Sequence, residues 1–384
     1  MSNINFYYDV ITKIGPVPNG LSSYTHNKRI YPFPFNNIHS SAWMVSPVTG
    51  FYNLMLTNGC AIDIFTKKKF CENLFYPLEI RQRGINVVIP PTTLNYLKKG
   101  KLKLLLLAPT QTNANSGRMY VIKEIADKFV RLHVPLENIF IVTGDINNSY
   151  KELFLPYKAY SIDWWQIESQ AIIKNNNNTM KKYELFGNLP KTPLPVKDYN
   201  INSFNPTLLF HTFSKNDSNT RTLLIDRLKD TNLYDKGTII SKNDSIDHHT
   251  NSLVTIITPE EQSIKNVNYM SEVNALFTNL EIWELIVMGK PFIILGCQQM
   301  IRYLNSQGYT TFYDLINEKY DSYLDYEIKV DLICNELSRI SNDDNSTILK
   351  TIKKLAEVNK VKFLNKSHQH TFLKLFDKMR YGIT

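Results

Sequence analysis

A basic loop that follows a predicted strand is the clearest candidate for chemistry in this sequence. The strand spans residues 207–210, and Lys215 and Arg221 follow it at the start of a predicted helix. Arginine can grip phosphate oxygens with two parallel hydrogen bonds, whereas lysine acts as a point charge. The pattern indicates a phosphate site in which Arg221 stands at a loop-helix junction outside the core. A structural alternative leaves Lys215 in solvent and pairs Arg221 with Asp217 or Asp226.

Two glutamates stand beside a second predicted strand and helix. Glu260 directly follows an apolar, β-branched strand over residues 253–257, and Glu281 lies near the start of a helix predicted over residues 280–288. Carboxylates at such positions can accept hydrogen bonds from ribose or sugar hydroxyls. A structural role is the alternative for both residues.

A third carboxylate, Asp145, has the placement of a general base. It follows a strand predicted over residues 139–142, in the sequence Thr-Gly-Asp, and could take a proton from an acceptor hydroxyl. Asp63 and Gln111 are weaker options for the same role. Each of the three could instead be an ordinary turn or capping residue.

These candidates lie in segments where short apolar strands alternate with helices. Residues 252–312 read as strand, acidic loop, helix, strand and helix, with Gly289 ending the first helix and Gly296 following the second strand. Residues 103–142 form another strand-helix-strand unit, whose helix spans residues 119–132. Alternation of this kind predicts parallel sheets covered by helices on both faces. Ligands of such sheets bind at the carboxyl ends of the strands, where the acidic loop and Gly296 stand.

The length of the chain predicts two domains. It has 384 residues, of which 43% are hydrophobic, and this is too long for one core of usual size. A proline-spaced stretch over residues 190–195 is typical of a linker, so we expect domains over residues 1–195 and 196–345. Residues 346–384 are basic and helix-prone, and this tail could either cross back to the first domain or remain exposed.

Two blocks of sequence carry a recognisable series of motifs. The first reads NPTLLFHTFSKNDSNTRTLLIDRLKDTNLYDKGTIIS, and the second reads GKPFIILG followed by IRYLNSQGYTTF and NEKYD. Together they span residues 205–321 and resemble the carboxyl-terminal region of glycosyltransferases from large tailed phages and giant viruses. The family's Thr-Glu-Lys and Lys-Pro elements are replaced here by Asn-Leu-Glu at residues 279–281 and Glu-Leu at residues 284–285. Either the acidic residue has moved by one position to Glu281, or the site has lost a member.

The resemblance implies an α/β fold of the GT-B arrangement, with two Rossmann-like domains facing each other across a cleft. In that arrangement the carboxyl-terminal domain holds a nucleoside-diphosphate sugar and the amino-terminal domain holds the acceptor. The resemblance implies neither a metal ion nor a tightly bound cofactor. The site residues expected from it are Lys215, Arg221, Glu260, Glu281 and Gly296 for the nucleotide-sugar, and Asp145 and Glu260 for catalysis.

The net charge of +9 bears on the acceptor. Lysines cluster at residues 67–69 and 98–103, either as solvated patches or as a track for a phosphate-rich partner. Relatives in the family include enzymes that glycosylate hydroxymethylated bases in viral DNA, so duplex DNA is one implied acceptor. Aromatic residues 31–35 could then stack on a flipped base. The alternatives are a glycan or protein acceptor, and a binding protein that kept the fold and lost turnover.

Other function classes leave traces that this sequence lacks. It contains neither GxGxxG nor GxxxxGK[ST], and His248 and His249 have no clear acidic partner to complete a metal site. Its four cysteines do not form a disulfide framework, and no apolar run reaches the ~20 residues that a membrane span needs. We therefore expect a cytoplasmic protein, which the resemblance places in a virus-infected host cell.

Overall fold

The computed structural model divides the chain into two compact units. It describes residues 4–7, 55, 60, 62–65, 74–79, 89, 91–108, 116–147, 149–164, 166–167, 169–170, 206–214, 219–241, 252–258, 276, 278, 280–343 and 345–381. Unit 1 comprises Met1–Thr110, Asn115–Thr192 and Ser367–Thr384, and unit 2 comprises Gln111–Ala114 and Pro193–Lys366.

Strands and helices alternate along the described residues. The strands are β1 (Ile4–Tyr7), β2 (Ile62–Phe65), β3 (Leu74–Glu79), β4 (Lys103–Ala108), β5 (Ile139–Thr143), β6 (Lys158–Ser161), β7 (Leu208–Ser214), β8 (Gly237–Ser241), β9 (Ser252–Ile257) and β10 (Phe292–Ile294). The α-helices are α1 (Pro91–Lys98), α2 (Ser116–Arg131), α3 (Asn219–Asp230), α4 (Leu280–Met288), α5 (Met300–Ser306), α6 (Tyr326–Ile340), α7 (Asn345–Asn365) and α8 (Gln369–Tyr381). Short 3-10 helices cover Leu136–Asn138, Tyr234–Lys236 and Glu318–Ser322.

The described strands of unit 1 form one parallel sheet in the order β2-β1-β3-β4-β5-β6. Its central strands β4 and β5 are continuous apolar runs, and the side chains of residues 104–107 and 139–142 are buried. A strand that is buried on both faces is apolar along most of its length, because neither of its faces meets water. Helix α2 packs against β4.

The described strands of unit 2 form a second parallel sheet, in the order β10-β9-β7-β8. Every residue of β9 and β10 is buried. The α/β class and the parallel sheets predicted from the alternation of strands and helices are therefore confirmed, and both sheets are compatible with a Rossmann-like fold.

The predicted tail, residues 346–384, forms two helices that belong to different units. Helix α7 belongs to unit 2, where it packs against α4 with the rings of Phe363 and Trp283 5.8 Å apart. Gly289 ends α4 with a φ of 70°, which a glycine adopts without strain, and a Cβ at this position would collide with Ala356 of α7. The contact between α4 and α7 therefore requires this glycine.

Helix α8 completes the core of unit 1. Its apolar side chains are Phe372, Leu375, Phe376 and Met379, and they join a buried cluster with residues of β3, β4, β5 and β6. The ring centroid of Phe376 lies 5.0 Å from that of Phe75 in an edge-to-face arrangement, which aromatic pairs favour. The sheet of unit 1 is thus covered in part by a helix that lies beyond unit 2 in the sequence.

Replacing Phe376 with alanine should destabilise unit 1 strongly. The ring is fully buried, and removing such a ring typically costs about 3–5 kcal/mol of unfolding free energy. Tyr381→Ala is the matched control, because this residue lies on the same helix but is 72% exposed, and we expect a change within about 0.5 kcal/mol. Urea unfolding of both variants measures the difference, and equal losses would show that α8 does not stabilise the unit through its buried face.

Candidate functional site

The sheet of unit 2 has a topological switch point between β7 and β9. From β7 the chain runs to β8 on one side, and then to β9 on the other. The connections that leave the carboxyl ends of β7 and β9 therefore diverge, and doubly wound sheets bind their ligands in the crevice that this creates. Helix α3 begins at Asn219 after β7, and Thr258 directly follows β9. The carboxyl ends of these two strands are the candidate site of unit 2.

Arg221 is a buried cation at this switch point. It lies in the first turn of α3, is only 4% exposed, and donates from Nη2 to Oγ1 of Thr258 at 2.7 Å. The expectation that Arg221 stands outside the core is wrong, because the hydrogen bond to Thr258 draws the side chain in between two strand ends. A guanidinium stays charged when it is buried, so the protein maintains a positive charge at this position.

The surroundings of Arg221 favour an anionic ligand. The amino terminus of α3 contributes the positive end of the helix dipole, and its first turn contains no acidic residue. A fixed cation and the amino terminus of a helix together suit a phosphate. Of the acidic partners considered for Arg221, Asp226 lies 4.0 Å from Lys229, and Asp217 lies outside the described residues.

At the end of β10, the strand next to β9, polar groups are hydrogen-bonded to other groups of the same chain. The carbonyl oxygen of Gly296 accepts from Nζ of Lys329 at 2.6 Å. Oδ2 of Asp321 accepts from the N–H groups of Ile301 at 3.0 Å and Arg302 at 3.4 Å, and so caps the start of α5. Burial raises the pKa of Asp321, although these hydrogen bonds and Lys329 oppose the shift. Gly296 is thus buried within a structural network.

Glu318 is a carboxyl group with a pKa near neutrality beside this cap. Thr311 donates to its Oε2 at 2.7 Å, and the N–H of Phe312 donates to its Oε1 at 3.0 Å. Burial raises the pKa of Glu318 to about 7, the two hydrogen bonds oppose the shift, and the nearby Asp321 adds to it. Sequence reasoning did not connect Glu318, Asp321 and Lys329 in one network, because their hydrogen-bond partners lie in other elements.

Asp145 is fully buried at the carboxyl end of β5 in unit 1. Its Oδ2 accepts from the N–H groups of Ser149 at 2.5 Å and Tyr150 at 3.3 Å. This is the capping role that the sequence left open as an alternative to catalysis. A carboxylate with this geometry stabilises a turn, whereas a base needs contact with its substrate.

A polar cluster that sequence reasoning missed lies at the opposite, amino edge of the second sheet. Nζ of Lys290 donates to Oγ of Ser252 at 3.0 Å, and Nδ1 of His211 lies 2.5 Å from the same oxygen. All three side chains are fully buried. Burial holds the pKa of Lys290 well below its usual value, which favours a neutral amine. A serine beside a lysine of lowered pKa has the composition of a nucleophilic pair, but its complete burial indicates a structural role.

Several predicted site residues lie where no side chain is described. Glu281 lies in α4 and Asp63 in β2, and the structure describes neither side chain. Five further residues considered in the sequence analysis lie outside the described residues altogether: Lys215, Glu260, Gln111, His248 and His249. Among the side chains that are described, no group of three His, Cys, Asp or Glu residues could hold a metal ion. Within the same part of the chain, no helix has both the length and the apolar character to cross a membrane.

We expect Asp145→Ala to lower stability and Asp145→Asn to preserve it. Alanine leaves two N–H groups without their acceptor, which costs about 1–3 kcal/mol, whereas asparagine retains a capping oxygen. Urea unfolding of both variants measures the difference. The asparagine variant also tests for a catalytic role, since loss of the sugar transfer that the resemblance predicts, at unchanged stability, would assign Asp145 to catalysis instead.

Lys290 should make the stability of unit 2 depend on pH. Its pKa is lowered in the folded state, so between that value and 10.5 the unfolded chain binds more protons. The unfolding free energy should therefore rise with pH across this window, and Lys290→Met should flatten the rise. Urea unfolding at pH 7 and pH 9 tests this, with the exposed Lys354→Met as control. A slope with pH that is the same in both variants would contradict it.

Comparisons with known proteins do not identify a family for this chain. No protein-family model, no curated protein and no solved structure matches it. The resemblance to viral glycosyltransferases therefore stays a prediction from the quoted motifs, and the site in unit 2 rests on the geometry of Arg221 and Thr258.

Proposed function

We propose that this protein is a glycosyltransferase that transfers a sugar from a nucleoside-diphosphate sugar to an acceptor hydroxyl. The observation that carries the proposal is the buried guanidinium of Arg221, held by Thr258 at the switch point of the second sheet. A diphosphate bound there would meet a cation and a helix amino terminus together. The quoted motifs support the same site, because the first block contains Arg221.

The leaving group explains why transfer needs such a site. Negative charge develops on the departing diphosphate as the bond to the sugar breaks, and fixed positive groups in a buried site stabilise that charge more strongly than water does. In the proposal Arg221 grips the phosphate oxygens and Lys215 adds a second cation. Glu260 and Glu281 accept hydrogen bonds from ribose or sugar hydroxyls, and Glu260 also takes part in catalysis.

The GT-B arrangement is part of the proposal. The two units would then face each other across a cleft, with the nucleotide-sugar on unit 2 and the acceptor on unit 1. An inverting transfer would take its base from unit 1, and Asp145, the candidate predicted from the sequence, would have to leave the turn that it caps to reach an acceptor. The acceptor we propose is a hydroxymethylated base in viral DNA, with a glycan or a protein as the alternative.

Calorimetry with a panel of nucleoside diphosphates and their sugars tests the donor site. For Arg221→Gln we expect affinity for the preferred nucleotide to fall roughly ten- to a hundredfold, because a hydrogen bond to a charged group contributes about 1.5–3 kcal/mol. Arg221→Lys should lose less, since it keeps the charge without the bidentate grip.

Thr258→Val tests how Arg221 is positioned, because it removes the hydrogen bond that holds the guanidinium and keeps the charge. We expect it to lower the melting temperature and to weaken nucleotide affinity less than Arg221→Gln does. If both variants lose stability equally and neither changes nucleotide affinity, Arg221 is structural and the donor site is elsewhere. Nucleotide binding without transfer to any acceptor would instead indicate a binding protein with this fold.

A further inference from the structure

Three cations meet at the amino edge of the first sheet. Lys103 opens β4 and Lys158 opens β6, and both ammonium groups lie over the ring of Phe140 in the intervening β5, at 5.7 and 5.9 Å from its centroid. Arg380, in the last turn of α8, has a side chain that is 5% exposed and donates to Asp377 at 3.3 Å. We call Lys103, Lys158 and Arg380 the basic edge cluster.

The basic edge cluster brings like charges together in a partly buried place. The pKa of Lys103 is lowered first by burial and then by the charges of Lys158 and Arg380. Asp377 offsets part of this charge through its ion pair with Arg380, and Lys103 and Lys158 remain partly exposed to an anionic partner. The ring of Phe140 lies beneath both ammonium groups and attracts them electrostatically.

Stabilising the carboxyl end of α8 would explain only part of the basic edge cluster. The carboxyl end of a helix favours cations, and this accounts for Arg380 in its last turn. Lys103 and Lys158 come from two strands of the sheet, and each is only half-buried. Lys98 and Lys99, both exposed, lie on the segment that leads into β4 and extend the positive charge along the same edge.

This position changes the interpretation of the lysines at residues 98–103. The sequence left them either as solvated patches or as a track for a phosphate-rich partner in the acceptor domain. In the structure they lie at the amino edge, whereas Asp145 follows the carboxyl end of β5. The two edges are separated by the length of a strand, roughly 15–20 Å for five or six residues. The basic edge cluster is therefore a separate surface from the strand ends where chemistry is expected.

We propose that the basic edge cluster binds the phosphate backbone of duplex DNA, as a docking surface distinct from the donor site. Duplex DNA carries one negative charge per ~1.7 Å of its axis, which is the dense charge that a compact group of cations complements. In this proposal Lys103 and Lys158, which are both half-buried, contact the phosphates. Arg380 is buried and contributes a further positive charge without contacting them. The contact is with the backbone and reads no sequence.

Binding of a labelled 20-base-pair duplex, measured by fluorescence anisotropy between 20 and 200 mM salt and without any nucleotide-sugar, tests the proposal. The double variant Lys103→Gln, Lys158→Gln should bind roughly tenfold more weakly at the lowest salt. Its plot of log affinity against log salt should be shallower by about 1.8, since each lost phosphate contact contributes roughly 0.9. The matched control Lys128→Gln, Lys151→Gln removes the same charge from exposed positions of unit 1 and should change neither quantity by as much.

The outcomes separate this proposal from the donor site. Equal weakening in both double variants would mean that only net charge matters, and it would overturn the proposal. So would a wild-type protein that does not bind duplex DNA at low salt, or one that releases it to polyglutamate as readily as to unlabelled duplex. If the Lys103→Gln, Lys158→Gln variant melts at a lower temperature but binds DNA with unchanged affinity, the basic edge cluster serves to stabilise α8 instead. Nucleotide binding is measured separately by calorimetry, so a negative result for DNA binding does not contradict the donor site, and the reverse also holds.

Discussion

The burial of strands on both faces is the constraint on which this structure depends. The side chains of residues 104–107 of β4 and all residues of β9 and β10 are buried, so helices must cover both sides of each sheet. Each buried leucine or isoleucine contributes about 1.5–3 kcal/mol relative to exposure, and this drives both sheets to form. Polar chemistry is then confined to the strand ends. Arg221 and Thr258 at one edge of a sheet, and the basic edge cluster at an edge of the other, follow from this confinement.

The sequence predicted best those elements whose own side chains determine them. The helix predicted over residues 280–288 has the bounds of α4, because it is a short apolar run with a clear stop. The helix predicted over residues 119–132 begins three residues late relative to α2, since its polar first turn carries no apolar periodicity. The division of the tail into α7 and α8 was not predicted. It depends on where Phe363 and Phe376 find partners, and those partners are far away in the sequence.

The candidate site shows the same division between local and distant causes. The position of Arg221 after a strand was visible in the sequence, but its burial was not, because it depends on Thr258 at a separation of 37 residues. Lys290 and Ser252 are 38 residues apart, and neither stands in a motif that predicts a buried polar pair. Asp145 was recognised by its place after a strand. Whether such a residue caps a turn or faces a substrate is decided by the backbone that follows it.

The membership of α8 in unit 1 determines the order in which the chain can acquire its structure. A hydrogen bond between Cys60 and Gln369 spans 309 residues, whereas residues 193–366 form nearly all of unit 2 as one continuous segment. Unit 2 can therefore close its core from contacts that are comparatively local. Unit 1 has its described strands early in the sequence, but the part of the apolar core that α8 covers stays exposed until α8 has been synthesised. During synthesis the earlier unit is thus the later to mature, and it exposes an aggregation-prone surface for longer.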